Sequence, residues 1–179
     1  MKKKNQFLTK AANYFFVSFI LVASILASCK NDDEPGNDYK ISFKVDDVLE
    51  EFTSENSPSG NLLDGNLPNR LSIFAEKPSS VISLTVFDMK AIIETTYNGL
   101  VVKQSNTQYS IVGAEVGYQK NKANYASERF PSSDVSITIT EMTSKTVRGK
   151  FSTKVYGAAQ AEIVITDGEF FVPLDISNN

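Results

Sequence analysis

The chain of 179 residues is predicted to fold as an all-β protein, on three observations. Apolar and polar residues alternate along Tyr39–Val45, which is typical of a half-buried strand. The same alternation runs through Val135–Thr140 and Val147–Tyr156. Asp167-Gly168 is a strong hairpin-turn signal between two apolar runs. Successive strands with short turns predict an antiparallel sheet, whose apolar face would be covered in a sandwich or an open barrel.

The elements of the first two thirds of the domain are predicted as short strands and turns. In order they are a strand at Tyr39–Val45, a turn at Asp46-Asp47, a second strand at Val48–Thr53, a hairpin of Leu71–Glu76 and Val81–Asp88, and strands at Leu100–Lys103, Thr107–Val112 and Glu115–Gln119. Ser54–Asn69 and Asn121–Asp134 are rich in polar, Gly and Pro residues and are predicted as loops. A loop as long as Ser54–Asn69 is either functional or a mobile connection.

The C-terminal part is predicted as a four-strand meander. Its strands are Val135–Thr140, Val147–Tyr156, Ala161–Ile165 and Glu169–Leu174. A turn about Ala158 would set Val155 opposite Ala161, Thr153 opposite Ile163 and Phe151 opposite Ile165, with Lys154 opposite Glu162. A slip of one residue would move Phe151 to the outer face. The pattern therefore predicts that Phe151 faces the core and Ser152 faces outward.

The N-terminal segment has the pattern of a secretory signal. Lys2, Lys3, Lys4 and Lys10 precede residues 11–27, which are uncharged and mostly apolar. This run is slightly shorter than the roughly 20 residues that a spanning helix needs. The segment ends in Leu26-Ala27-Ser28-Cys29, and Cys29 is the only cysteine of the chain.

Leu26–Cys29 resembles the lipobox of bacterial lipoproteins. The resemblance implies that the Cys29 thiol receives a diacylglycerol and that cleavage leaves Cys29 as the new N-terminus. Several acyl chains would hold the protein firmly, because each buried CH₂ contributes about 0.8 kcal/mol. An ordinary signal peptide, or a membrane-anchoring helix with a chance cysteine, is the alternative.

Lys30-Asn31-Asp32-Asp33-Glu34 follows at once and resembles the surface-export signal of Bacteroidetes-type lipoproteins. A solvated acidic linker is the alternative, because short charge runs usually have that role. Asp32, Asp33, Glu34 and Asp38 lack the regular oxygen spacing of a Ca²⁺ loop, which favours a tether over a metal site. The predicted organisation is a cleaved signal peptide at 1–28, the lipidated cysteine and acidic tether at 29–38, and a single all-β domain at 39–179.

Three further segments resemble small Bacteroidetes lipoproteins of unknown function. They are Phe43–Asp47, Arg148–Ser152 and Ile165–Pro173. These are turn and strand motifs, so the resemblance implies an all-β fold. It implies no activity and no catalytic residues.

Composition excludes several classes of function. Removal of residues 1–28 would take four lysines with it, so the net charge would change from −3 to −7. Such an acidic domain lacks the basic footprint of a nucleic-acid-binding protein. The chain has no histidine, which removes Ser-His-Asp and Cys-His catalysis. Lipidation of Cys29 would leave no thiol for a zinc site.

The remaining candidates for chemistry are carboxylates and tyrosines. A glycosidase needs two acids that face one cleft. Asp46 and Asp47 are poorly placed for this role, because neighbouring residues on a strand point to opposite faces. Asp167, near Glu169, is better explained by a turn. The tyrosines Tyr97, Tyr109, Tyr118 and Tyr125 would form either a sugar-stacking platform or ordinary strand positions with surface hydroxyls.

These observations predict a lipid-anchored protein of the outer membrane, facing outward from the cell envelope. It is expected to be a non-enzymatic binding or adhesion module with an extracellular glycan or protein ligand, without nucleic acid, metal or cofactor. The alternative is a glycan-binding or glycan-active accessory protein of a nutrient-uptake system.

Overall fold

The structure is a computed structural model, and it describes residues 38–65, 67–105, 108–127 and 134–178. These residues form twelve strands, with short 3-10 helices at Ser54–Asn56 and Ala158–Gln160. The strands are β1 Lys40–Val45, β2 Val48–Phe52, β3 Ser59–Asp64, β4 Asn69–Lys77, β5 Ser80–Asp88, β6 Thr96–Asn98, β7 Val101–Ser105, β8 Gln108–Lys120, β9 Ala123–Ala126, β10 Ser136–Met142, β11 Thr146–Tyr156 and β12 Glu162–Asn178. The predicted all-β class is confirmed.

The strands form one large mixed sheet. Its order is β2-β1-β12-β3-β4-β5-β8-β9-β11-β10-β6, and β7 pairs with β8 outside this path. β12 also pairs with β11, so the path of paired strands returns to β12. β12 and β3 run parallel, and the other described strand pairs run antiparallel.

Two hairpins form where the sequence predicts them. β1 and β2 are joined at Asp46 and Asp47, whose φ angles of 48° and 67° both lie in the left-handed region. This is the backbone that a two-residue hairpin turn requires, and aspartate tolerates it better than most residues. β4 and β5 pair from Lys77 and Ser80 onward, as predicted for this hairpin.

The predicted loop at Ser54–Asn69 is wrong in its centre. Ser59–Asp64 forms β3, which pairs with β4 on one edge and with the end of β12 on the other. Pairing on both edges stabilises an extended conformation that the local composition, with Gly60 and several polar residues, does not favour.

The polar stretch Asn121–Asp134 is not all loop either. Ala123–Ala126 forms β9, which returns along β8 after a tight turn at Asn121 and Lys122, both with positive φ. The two predicted strands before it are parts of one strand, β8.

The C-terminal meander contains three strands rather than four. The predicted hairpin at Asp167-Gly168 is wrong, because β12 continues through these residues from Glu162 to Asn178. Asp167 has a φ of 51°, and the registers with β1 and β11 shift beside it, which marks a β-bulge. β12 is hydrogen-bonded on both edges here, and this pairing outweighs the local turn preference.

The register between β11 and β12 differs from the predicted one by two residues. Val155 lies opposite Ile163 and Thr153 opposite Ile165, because residues 157–161 make a longer connection than a turn about Ala158. A shift of two preserves the faces of a strand. Phe151 is therefore buried and Ser152 exposed, as predicted.

Among the described residues, the inward positions of the strands form one hydrophobic core. Three aromatic rings pack around Phe43, with centroid distances of 5.6 Å to Tyr118 and Phe151 and 6.1 Å to Phe52. The Phe170 ring lies 6.5 Å from that of Phe151. Stacked, tilted and edge-on rings at these distances contribute beyond their buried area. This cluster joins the β1–β2 hairpin to the C-terminal strands.

Candidate binding surfaces

The residues predicted to anchor and export the protein, Cys29 and Lys30, Asn31, Asp32, Asp33 and Glu34, lie outside the described residues. So do the signal segment 1–28 and most of the tether. In the part of the chain that the structure describes, no helix is long and apolar enough to cross a membrane.

The carboxylates considered for chemistry are occupied by structural roles. Asp46 lies in a hairpin turn, where its Oδ1 accepts a hydrogen bond from the Val164 N–H at 3.4 Å. The Asp167 carboxylate accepts one from the Lys44 ammonium at 2.9 Å. Glu169 forms an ion pair with Lys150 at 3.4 Å. Asp167 and Glu169 line the same shallow cleft, but each carboxylate is paired with a lysine. Asp46 and Asp47 lie side by side in a tight turn.

The four tyrosines do not form a shared platform. Tyr97 and Tyr118 are buried, and Tyr109 is exposed on a different part of the sheet. The Tyr97 hydroxyl accepts a hydrogen bond from the Ile93 N–H at 2.9 Å and lies 3.3 Å from the Ile93 carbonyl oxygen. Tyr118 and Tyr125 pack as tilted rings 6.3 Å apart. The sugar-stacking hypothesis for these four residues is therefore wrong, and so is the expectation that the hydroxyls of Tyr97 and Tyr118 lie at the surface.

The outward face of β1, β12, β11 and β10 is a ladder of opposite charges. Cross-strand ion pairs join Lys40 to Glu51, Lys44 to Asp167, Lys150 to Glu169, Arg148 to Glu141 and Lys154 to Glu162. Most of these side chains are half-exposed, so each pair contributes at most about 1 kcal/mol. The cationic and acidic groups of this face neutralise each other.

A pair of aromatic side chains, Tyr39 and Phe171, lies within this charged face. The rings of Tyr39 and Phe171 lie 5.3 Å apart, and the Arg148 guanidinium lies over Phe171 at 4.3 Å. Phe171 and Arg148 border a shallow cleft of about 400 Å³ that is also lined by Asp38 and Thr140. Arg148 already covers one face of the Phe171 ring, which reduces the aromatic surface open to a ligand.

A largely buried carboxylate, that of Glu50, forms a second polar cluster. Glu50 Oε2 lies 2.7 Å from the Lys77 ammonium, and Oε1 lies 3.0 Å from the Lys120 ammonium. The Tyr118 hydroxyl donates to Oε1 at 3.4 Å. Burial opposes ionisation of Glu50, but the hydrogen bonds and charges of the two lysines outweigh it and lower the pKa of the carboxyl. Burial first, and then the Glu50 charge, raise the pKa of Tyr118.

This cluster joins strands that are distant in sequence. Lys77 also donates to the Glu51 carbonyl oxygen at 3.1 Å and lies over the Phe52 ring at 4.7 Å. Because its charged groups satisfy one another, the Glu50 cluster holds β2 against β4 and β8 and is not a free binding site.

A two-stranded arm is formed by β7 with residues 108–112 of β8. Val101 pairs with Val112 and Lys103 with Ser110, whereas the remainder of β8 pairs with β5 and β9 in the main sheet. The arm begins at Gly113, whose φ is +121°. A Cβ at Gly113 would lie within 2.7 Å of the carbonyl oxygens of Asn98 and Gly99, so this junction requires glycine.

The two faces of the arm differ in their surroundings. Alternate residues point to opposite faces of a strand, so Val101, Lys103, Ser110 and Val112 share one face and Val102 and Tyr109 share the other. The first face lines a cleft of about 500 Å³, whose other wall comes from Asp88 and residues 95–99. A cleft of this volume has the size of a small-molecule site. We call it the arm cleft.

The polar groups of the arm cleft are largely unengaged. Neither the Asp88 carboxylate nor the Lys103 ammonium forms an ion pair with any described residue. Among the described residues, the one hydrogen-bond donor to the Asp88 carboxylate is the Lys90 N–H, at 2.9 Å. The side chains of Asn98 and Ser110 have no hydrogen-bond partner among the residues that the structure describes. The arm cleft thus combines an aliphatic floor with solvent-accessible polar groups that have few partners among the described residues, unlike the charged face.

The sequence offers no signal that would have identified the arm cleft. Its walls come from the end of β5, from β6 and from the arm, and only the fold brings them together. Within the described ranges, no three His, Cys, Asp or Glu side chains are placed to hold a metal ion.

Comparison with known proteins identified no relative. No protein-family model matches the chain, and no curated protein and no solved structure is similar to it.

Proposed function

We propose that the protein is a lipid-anchored lipoprotein of the cell envelope, displayed outward from the outer membrane, whose β domain is a non-enzymatic binding module. Leu26–Cys29 supports the anchor, because a cysteine in this sequence context is the acceptor of the lipid in bacterial lipoproteins. Lys30–Glu34 supports outward display through its resemblance to an export signal.

The arm cleft is the observation that carries the binding function. A binding site is typically concave, mostly apolar and provided with a few polar groups that fix the orientation of a ligand. Val101 and Val112 supply apolar surface and are 50% and 38% exposed, and Asp88, Asn98 and Lys103 supply polar groups. The charged face meets this description less well, because its ionic groups are paired with one another.

The anchor is tested with a Cys29→Ser variant. We expect this variant to lose metabolic palmitate labelling and to leave the membrane fraction, while the parent chain keeps both properties. Labelling that persists in the variant would contradict the lipoprotein assignment.

Outward display is tested by alanine substitution of Asp32, Asp33 and Glu34. This change should reduce protease exposure on intact cells and leave the lipid in place.

The binding function is tested with two neighbouring tryptophan variants. Val101→Trp fills the arm cleft, and Val102→Trp places the same ring on the opposite face of the arm, at a residue that is 56% exposed. A glycan array and a panel of small metabolites are screened against the parent protein. We expect a ligand whose binding is lost in Val101→Trp and retained in Val102→Trp. Equal loss in both variants would contradict the assignment of the cleft.

The second candidate function is a glycan-binding or glycan-active accessory protein of a nutrient-uptake system. It is favoured by the Tyr39–Phe171 pair, because Phe171 borders the shallow cleft on the charged face and sugars bind where aromatic rings adjoin polar groups. A glycan bound by the parent protein and by Val101→Trp, but lost in Phe171→Ala, would support this function over the first.

A further inference from the structure

We propose that the arm cleft binds a zwitterionic small molecule of the amino acid or short-peptide class, an inference that rests on the binding function proposed above. Two residues of opposite charge, Asp88 on β5 and Lys103 on β7, line the cleft. They do not form an ion pair with each other, although both side chains face the same space. A ligand with an ammonium and a carboxylate satisfies both charges at once.

Other classes of ligand would not match both charges and the aliphatic floor of the cleft. A simple anion would pair with Lys103 and face the Asp88 carboxylate, and a simple cation would do the reverse. A sugar ring lacks an exposed aromatic face to stack on, because Tyr97, the aromatic residue of the lining, is 5% exposed. The floor is aliphatic, since Val101 and Val112 lie directly opposite each other on the arm. An aliphatic side chain between two charged groups matches this arrangement.

The neutral polar groups of the cleft fit the same class. An amino acid or peptide offers both donors and acceptors beside its charges. Asn98 has an amide that can donate and accept, and Ser110 has a hydroxyl that can do both. Binding would therefore engage side chains that have no partner among the described residues.

The test uses the full-length chain in detergent and isothermal titration with leucyl-leucine, a zwitterion with aliphatic side chains. Two analogues remove one charge each: the N-acetyl derivative lacks the ammonium, and the C-terminal amide lacks the carboxylate. We expect each analogue to bind up to about fivefold more weakly, the loss that corresponds to one ion pair with a partly exposed side chain.

Two variants assign the charges to residues. Asp88→Asn should weaken the binding of leucyl-leucine, so that it binds no more tightly than the N-acetyl derivative. The asparagine oxygen can still accept the Lys90 N–H. In Lys103→Met, leucyl-leucine should bind no more tightly than its C-terminal amide. Asp175→Asn and Lys145→Met change exposed residues outside the cleft and should bind like the parent protein.

The outcomes separate this inference from the function on which it rests. If leucyl-leucine does not bind but a compound that is not a zwitterion binds and is lost in Val101→Trp, the zwitterionic class is wrong and the binding function stands. If the N-acetyl derivative binds as tightly as leucyl-leucine, Asp88 does not recognise an ammonium and the inference is overturned. If no compound in either screen binds at the cleft, both proposals fail.

Discussion

Replacement of Glu50 by Gln should destabilise the domain far more than the same replacement at Glu51. The Glu50 side chain is 11% exposed and pairs with two ammonium groups. The Glu51 side chain is 48% exposed, and its one ion pair within the described residues is with Lys40, at 3.8 Å. Removing one partner of a buried ion pair costs about 3–5 kcal/mol. Some water still reaches Glu50 and glutamine keeps one acceptor, so we expect about 2–3 kcal/mol. Glu51→Gln should cost less than about 1 kcal/mol, the scale of an exposed pair.

The difference in stability between the parent protein and Glu50→Gln should depend on pH. The two lysines lower the pKa of Glu50 in the folded domain, so the unfolded chain takes up this proton first as the pH falls. The contribution of the carboxylate is therefore complete above its ordinary pKa and disappears as the pH falls through the lower folded value. The parent protein should exceed Glu50→Gln in stability at neutral pH, and the two should converge in acid.

Urea melts of the domain from Asp38 onward, which contains the whole described core, measure both effects. Each variant is compared with the parent at pH 7 and at about pH 2.5, below the ordinary glutamate pKa. The reasoning is refuted if Glu50→Gln costs no more than Glu51→Gln at pH 7. It is equally refuted if the cost at Glu50 is unchanged in acid.

Two further predictions concern the C-terminal strands, and the same urea melts check them. Phe151→Ala should cost about 3–5 kcal/mol as a buried aromatic truncation, and Ser152→Ala should stay within about 0.5 kcal/mol because it points outward; equal costs would contradict the assigned faces. Gly149→Ala should cost more than about 2 kcal/mol, because its Cβ would collide with the Thr138 carbonyl oxygen and the Phe170 ring. Gly117→Ala is the control, since its Cβ meets only the rotatable Ser83 hydroxyl closely, and comparable losses in the two variants would show that close packing is not the cause.

The sequence alone determined the class of the fold and the direction of many side chains. Period-two alternation depends only on the pleat of a strand, so the inward position of Phe151 and the outward position of Ser152 follow without knowledge of the neighbouring strand. The hairpin turns at Asp46-Asp47 and at Lys77–Ser80 are equally local, because they depend on the conformations that these residues tolerate. The anchor and export assignments stay predictions, since Cys29 and residues 30–34 lie outside the described part of the chain.

The tertiary structure decided what depends on strand neighbours. Asp167-Gly168 favours a turn locally, but β12 is paired with β1 and β11 on its two edges. Because of this pairing, the two residues form a β-bulge within the strand and not a hairpin turn. Ser59–Asp64 lacks a strong strand pattern and becomes β3 because β4 and β12 lie on either side of it. The arm cleft has the same origin: Asp88, Asn98 and Lys103 belong to three different strands, and local sequence carries no information about which strands the fold brings together.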